Sequence, residues 1–312
     1  MKKGLLFIGC LFFTISSVNA LELNKNGEYV NSREVKITSK QYENLTKRFS
    51  DRTIDNMSQN AVLLFSDENS VVKTGTEYAI TTEMVKNGEV IDSITIPATE
   101  EEAMSVVTND KLHVLSDNKL HDVSKMIIPC WMPEGGPEVS YTTSSKRLSF
   151  VYGQYVWDDN PIVLMDVEWF SIPMIKKYDI LAVRWDNSMP TSNISSYSGV
   201  QTCYDKNGNK LSSEYNLSSD NIKITDKGFG QIMNIFDKAN SELTLELELN
   251  LVNPVGDPMY ATYQHARNSN ITLSQAKSYT FKSGGLGNVV YFSNSTVRNY
   301  YDGMQGVQAN LY

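Results

Sequence analysis

The chain has 312 residues, with 28 basic against 36 acidic side chains and a formal charge of −8. That length buries a large core and allows one big domain or two modest ones. The negative balance makes nucleic acid and anionic lipid poor partners, and abundant asparagine and serine fit an exposed, loop-rich surface better than a helical bundle.

The first twenty residues read as a signal peptide. Lys2 and Lys3 form the positive segment, Leu5 to Phe13 the apolar one, and Val18-Asn19-Ala20 a small-residue cleavage site, so the exported chain is expected to start at Leu21. A lipoprotein reading with Cys10 as the lipidated residue competes poorly, because the apolar run continues past it through Leu11, Phe12 and Phe13. Cleavage takes two lysines and no acid, which moves the formal charge from −8 to −10. No later run approaches the roughly 18 apolar residues needed to span a bilayer. Cleavage also leaves an even pair of cysteines, Cys130 and Cys203, which can form one disulfide in an exported chain. It would close a loop of about 70 residues, worth about 4 kcal/mol in a chain-entropy account. The competing reading leaves both thiols buried and unbonded.

After a polar segment with an Asn26-Gly27 turn signal, Thr38 stands as an N-cap with Gln41 as its capping-box partner. Tyr42, Leu45 and Phe49 then share one helical face, and Ser50 or Asp51 caps a second turn carrying Ile54 and Met57. Two such short helices do not stand alone, so they must pack on the rest of the chain or on a partner.

The pattern YENL-x3-F-x4-I-x2-M from Tyr42 to Met57 resembles the opening of uncharacterised secreted proteins of Gram-positive bacteria. KKYDILAVRWDNSMP (Lys176 to Pro190) and YYDGMQGVQANL (Tyr300 to Leu311) are similar to later pieces of them. The resemblance implies an exported location; it carries no catalytic motif and no activity.

From Ala61 to Ile96, AVLLF, EYAITTEMV and EVIDSITI read as strands, with Asn87-Gly88 as a tight hairpin turn between the last two. Thr99 and Glu102 cap a brief helical turn, and Thr108 to Val123 reads as a linker. The expected organisation is therefore a signal peptide (1–20), short amphipathic helices (21–60), a hairpin-containing region and linker (61–123) and a β-sandwich domain (124–312).

In the larger unit, Phe150 to Trp185 is rich in Val, Ile, Tyr, Phe and Trp and breaks into three strand-sized pieces, the core of an antiparallel sheet. VQTCY is followed by a hairpin loop at Asp205 to Lys210, and Phe229, Ile232, Met233 and Phe236 recur at helical spacing, which predicts a helix over Asp226 to Ala239. Leu243, Leu245, Leu247, Leu249 and Leu251 alternate with Thr244, Glu246, Glu248 and Asn250, a strand with one greasy and one wet, acidic face. PMYATYQHA, SYTFKS and NVVYFS supply three further strands. The fold class expected is mainly β: an antiparallel β-sandwich or jelly-roll-like domain behind a short helical and hairpin region, with a trefoil or small barrel as alternatives.

Asp158, Asp159, Asp166 and Glu168 lie close in sequence to Trp157 and Trp169, and paired carboxylates beside aromatic rings suit a carbohydrate site. On this reading Asp159, Asp166 and Glu168 would be the acids of a glycan-active hydrolase. The plainer reading makes them the solvated face of a half-buried strand. Asp205, Asn207 and Asn209 share the opening spacing of a calcium loop, but Lys210 replaces the required glycine and Asn216 the bidentate glutamate, so a hairpin fits better. His113, His121 and His265 form no metal-binding pattern, and no nucleophile elbow, CxxC pair or phosphate loop is present, so no cofactor or metal is expected. What remains is recognition of an extracellular protein or carbohydrate, for which the aromatic candidates are Trp157, Trp169, Tyr197 and Tyr204, against the ordinary role of tyrosines in a sandwich core. The reading that follows is a secreted, non-catalytic binding module. A glycan hydrolase and a structural or assembly protein of the cell exterior are the alternatives.

Overall fold

The computed structural model describes residues 27–113, 139–205, 207–215, 219–237, 242–254, 258–287 and 289–309. The predicted signal segment, Cys130, His121 and Asn216 lie outside these residues. A small hairpin, β1 (Glu28–Val30) with β2 (Lys36–Thr38), leads into helices α1 (Ser39–Thr46), α2 (Asp51–Asn56) and α3 (Gln59–Ser66). Thr38 and Gln41 make the expected capping box, and Ser50 and Ser58 cap the next two helices. The AVLLF run is therefore helical: it follows a serine cap, and a short apolar run does not by itself distinguish strand from helix.

Two antiparallel sheets follow. The first has seven strands in the order β4-β3-β5-β6-β12-β8-β9. These are β3 (Ser70–Lys86), β4 (Glu89–Ala98), β5 (Val139–Tyr155), β6 (Ile162–Trp169), β8 (Ile194–Tyr204), β9 (Lys210–Tyr215) and β12 (Glu242–Leu251). The second comprises β7 (Asp179–Trp185), β10 (Ile222–Thr225), β11 (Gly228–Met233), β13 (Met259–Ala266), β14 (Tyr301–Gly303) and β15 (Val307–Ala309), with both last strands paired to β13. Helix α4 (Glu100–His113) starts at the Thr99–Glu102 cap and is far longer than the brief turn expected.

The sheets face each other across one apolar core. Leu148, Phe150 and Tyr152 of β5, Val163, Met165, Val167 and Trp169 of β6 and the five leucines of β12 meet Leu181, Val183, Trp185, Phe229, Met259 and Tyr263. Each fully buried Leu or Phe here contributes about 1.5–3 kcal/mol relative to exposure. Cys203 sits in the same core, and no disulfide forms among the described residues.

Both outer faces are also covered. Leu45, Phe49, Ile54, Met57, Val62 and Phe65 of the helical cap pack on Val151, Ile162 and Leu164 of the seven-stranded sheet. On the other side, α5 (Leu273–Ala276), α6 (Ser295–Arg298) and the chain around Tyr279, Val289 and Phe292 cover Ile180, Ala182, Ile232 and Tyr260. The apolar faces of the early helices are thus spent within the chain.

Three further sequence expectations change. The hairpin of Asn87 and Gly88, both at positive φ, belongs to the large sheet, because β3 pairs with β5 along all its 17 residues. The expected boundary at residue 123 divides the sequence but not this sheet. The helix expected over Asp226 to Ala239 is instead strand β11, ladder-paired to β10 and β7; Phe229 and Met233 face the core while Gly228, Gly230 and Ile232 face outward. Among the described residues, SYTFKS and NVVYFS form only an isolated bridge, Thr280 to Tyr291.

Candidate functional site

Strand β6 sets the geometry of the sequence candidates. Its side chains alternate, so Trp169 points into the core while Asp166 and Glu168 project from the opposite face. Trp169 is fully buried and donates from Nε1 to the Tyr263 hydroxyl at 2.9 Å. It cannot line a site with the acids one and three residues before it in the chain.

The acidic face of β6 and β12 is not wet. Asp166, Glu168, Glu246 and Glu248 are all buried, because the helical cap lies over them. Arg52 of α2 pairs with Glu168 at 2.8 Å and with Glu242, and lies over the Tyr204 ring at 4.4 Å. Arg147 of β5 reaches Glu168 at 2.8 Å and Asp166 at 3.3 Å. Asn56 donates to Glu246 at 3.0 Å, Ser58 to Glu248 at 2.6 Å, and Arg33 to Glu248 at 3.4 Å.

Register places Glu246 directly opposite Asp166. Burial pushes the Asp166 carboxyl up to about 6, against the pull of Arg147, and burial followed by the charge of Asp166 raises Glu246 well above its ordinary range. Two buried carboxyls facing each other favour sharing a proton over ionising together. The free space beside them is small: 10 Å³ between Arg33, Glu246 and Glu248, and 120 Å³ in a crevice where Asp166 meets Arg48, Tyr78 and Arg147. Small-molecule sites begin at about 300 Å³.

A second polar cluster, which the sequence reading missed, lies between the sheets. Asp179 accepts from the Ala266 backbone at 2.8 Å, from the Tyr263 hydroxyl and from His265 Nδ1 at 3.1 Å. Lys146 is fully buried nearby, donating to Thr81 at 2.6 Å with its ammonium 4.3 Å from the Trp169 ring. Burial pulls its pKa down to about 8, while Asp302 and Asp179 oppose the fall. Asp179, Tyr263 and His265 are likewise sealed in the core. The only sequence signal was polar residues at inward positions of β5, β7 and β13.

The turn joining β5 to β6 has the opposite character. Val156 is 73% exposed and Trp157 71% exposed. The Trp157 ring is stacked on Tyr155, centroids 5.3 Å apart at 14°. Asp158 closes the turn through its backbone N–H to the Tyr155 carbonyl at 3.3 Å and accepts from the Asn160 amide. The neighbouring loop is tied on where Asn253 donates to the Asp159 carbonyl at 2.8 Å. Asp159 is exposed here, far from the covered Asp166 and Glu168.

Of the other aromatic candidates, Tyr197 is 39% exposed with its ring 5.1 Å from Phe229, while Tyr204 is buried under Arg52. Both lie on β8 rather than in loops. At the opposite end of the sandwich, a 780 Å³ cleft is lined by Ile91, Met174, Lys176, Asn234, Arg267 and Asn270, among others. The Asp205 carboxylate is occupied within its own turn by Asn207 and Asn209. Among the described residues, no group of three or more His, Cys, Asp or Glu stands in a metal-holding arrangement, and no helix is long and apolar enough to cross a membrane.

No family model matches the chain, and no curated protein matches it. Among solved structures it bears a weak, partial likeness to the N-terminal domain of the Streptococcus gordonii adhesin Sgo0707: 8% identity and a TM-score of 0.25, covering 79% of this chain and 57% of that one. A chain described as a pore forming protein is similar at 13% identity and a TM-score of 0.17, over 39% of this chain and 74% of its own length. The chain thus spans little more than half of the adhesin structure.

Proposed function

We propose that this chain is a non-catalytic interaction module of the cell exterior that recognises its partner through the tip between β5 and β6. The observation that carries the reading is Trp157, left 71% exposed and laid flat on Tyr155 at the end of a ladder-paired pair of strands. A large aromatic ring beside an equally exposed valine is costly to leave in water, and such patches mark contact surfaces. The acids that a hydrolase would need supply further support. Asp166 and Glu168 are engaged by Arg52 and Arg147 beneath the cap, and Asp159 stands apart from them on the tip.

The test compares the chain from Leu21 with its Trp157→Ala variant on a panel of immobilised extracellular proteins and glycans. Binding that disappears in the variant is expected. A variant that binds every ligand as well as the parent overturns the reading.

A further inference from the structure

From the charge and aromatic pattern of the β5–β6 tip, we propose that its partner is a basic peptide segment, with an arginine or lysine laid over Trp157 between carboxylates. The inference rests on the tip being the contact surface and adds the chemistry of what it contacts.

Two acids lie within electrostatic reach of the aromatic pair, and a third stands in the same turn. Asp158 and Asp159 follow Trp157 in the same turn. Asp67 arrives from the end of α3: it accepts through its backbone carbonyl from Ser70, and Ser70 is the register partner of Tyr155. Burial first, and then the charges of Asp67 and Asp158, raise the Tyr155 hydroxyl above its ordinary range, which places both carboxylates within electrostatic reach of the ring stack. The nearby end of β3 carries Lys73, but it sits opposite Tyr152, whose side chain faces the inter-sheet core, whereas Tyr155 packs toward the helical cap.

An exposed indole face attracts cations through its quadrupole, and a guanidinium both stacks on the ring and forks to a carboxylate. A neutral sugar would use the ring but gains nothing from three negative charges. An anionic ligand would be repelled by them and by the −8 charge of the whole chain. Asp158 is partly held by the Asn160 amide and one Asp67 oxygen by Asn69. Asp159 has its side chain in solvent. The tip thus offers a cation at least one uncommitted carboxylate beside an open ring.

The test uses a hexa-arginine peptide and, as a neutral comparator, chitohexaose, titrated into the chain from Leu21 and into its W157A and D158N/D159N variants. Thermal unfolding confirms that each variant is folded. The expected result is peptide binding that weakens roughly tenfold or more in W157A, weakens in D158N/D159N, and falls as salt is raised.

Peptide that binds W157A as tightly as the parent is drawn by net charge alone and overturns the proposal. Chitohexaose binding that depends on Trp157, with no Trp157-dependent peptide binding, overturns the basic partner but keeps the tip as a contact surface. If neither probe binds in a Trp157-dependent way, the basic-partner proposal falls, and the tip itself stands or falls on the wider panel.

Discussion

Strand β6 and the turn before it carry acids in two settings. Asp166 and Glu168 lie beneath the helical cap, where Arg52 and Arg147 hold them. Asp158 and Asp159, eight and seven residues before Asp166, stand at a tip beside an exposed indole. The residue type is the same, and what lies over it decides its work. Covered acids need fixed partners and become part of the fold, whereas uncovered acids are solvated and need none.

The sharpest way to break this contrast is Arg52→Ala. It strips Glu168 and Glu242 of their α2 partner and leaves Tyr204 without its stacked guanidinium. Removing one side of a buried pair costs about 3–5 kcal/mol. Urea unfolding at neutral pH should show a loss of that size. A loss below about 1 kcal/mol, the range of exposed pairs, would mean that the network is open to water.

The facing pair Asp166 and Glu246 predicts a pH dependence of known sign. Asp166 rises from 3.8 to about 6 in the fold and Glu246 rises too, so the folded state holds protons more tightly than the unfolded one. For Asp166 that contribution is complete below the unfolded pKa of about 4 and is lost as pH rises through about 6. For Asp166 the shift corresponds to roughly 3 kcal/mol. Unfolding midpoints between pH 5 and pH 8 should therefore slope downward, and Asp166→Asn should flatten the slope. An equal slope in the variant assigns the dependence to other groups.

How much of this was legible follows from where the deciding contacts come from. The leucine alternation of β12, the capping box at Thr38 and the Asn87-Gly88 turn are local, and the sequence shows them directly. The cover over the acids is not local: Arg52 meets Glu168 across 116 residues and Ser58 meets Glu248 across 190. Alternation tells which side chains share a face, not what lies on that face. Strand β11 escapes a reading by periodicity for a related reason, because Phe229, Ile232, Met233 and Phe236 fit a helical stripe as well as a strand. The overlooked signal was Gly228 and Gly230, each costing a helix about 1 kcal/mol. The tip was legible as a turn from Asp159, Asn160 and Pro161, but the exposure of Trp157 was not, since a turn signal does not tell whether a neighbouring ring folds back onto the chain.

The cap must also sit close, which Gly153 tests. A methyl at this position of β5 would run into the Phe65 ring of α3. Gly153→Ala should cost about 1–3 kcal/mol through overpacking. Pairing it with Phe65→Leu should recover part of that loss if the steric conflict is its cause. A single variant as stable as the parent would mean that α3 rides loosely on the sheet.

The smallest effect belongs to Trp157→Ala, and its smallness is the point. The ring is 71% exposed and stacks only on Tyr155 among the described aromatic contacts, so the fold has little to lose. The unfolding free energy should change by no more than about 0.5 kcal/mol, the usual range for surface changes. Set beside the several kcal/mol expected at Arg52, that near-zero result would mark the cap over β6 and the tip before it as different in kind: one held for stability, the other available to a partner. A loss above about 1 kcal/mol would place the indole in the packing of the chain. Any binding defect of the variant would then be a folding defect, and the contrast between covered and uncovered acids would no longer locate the contact surface.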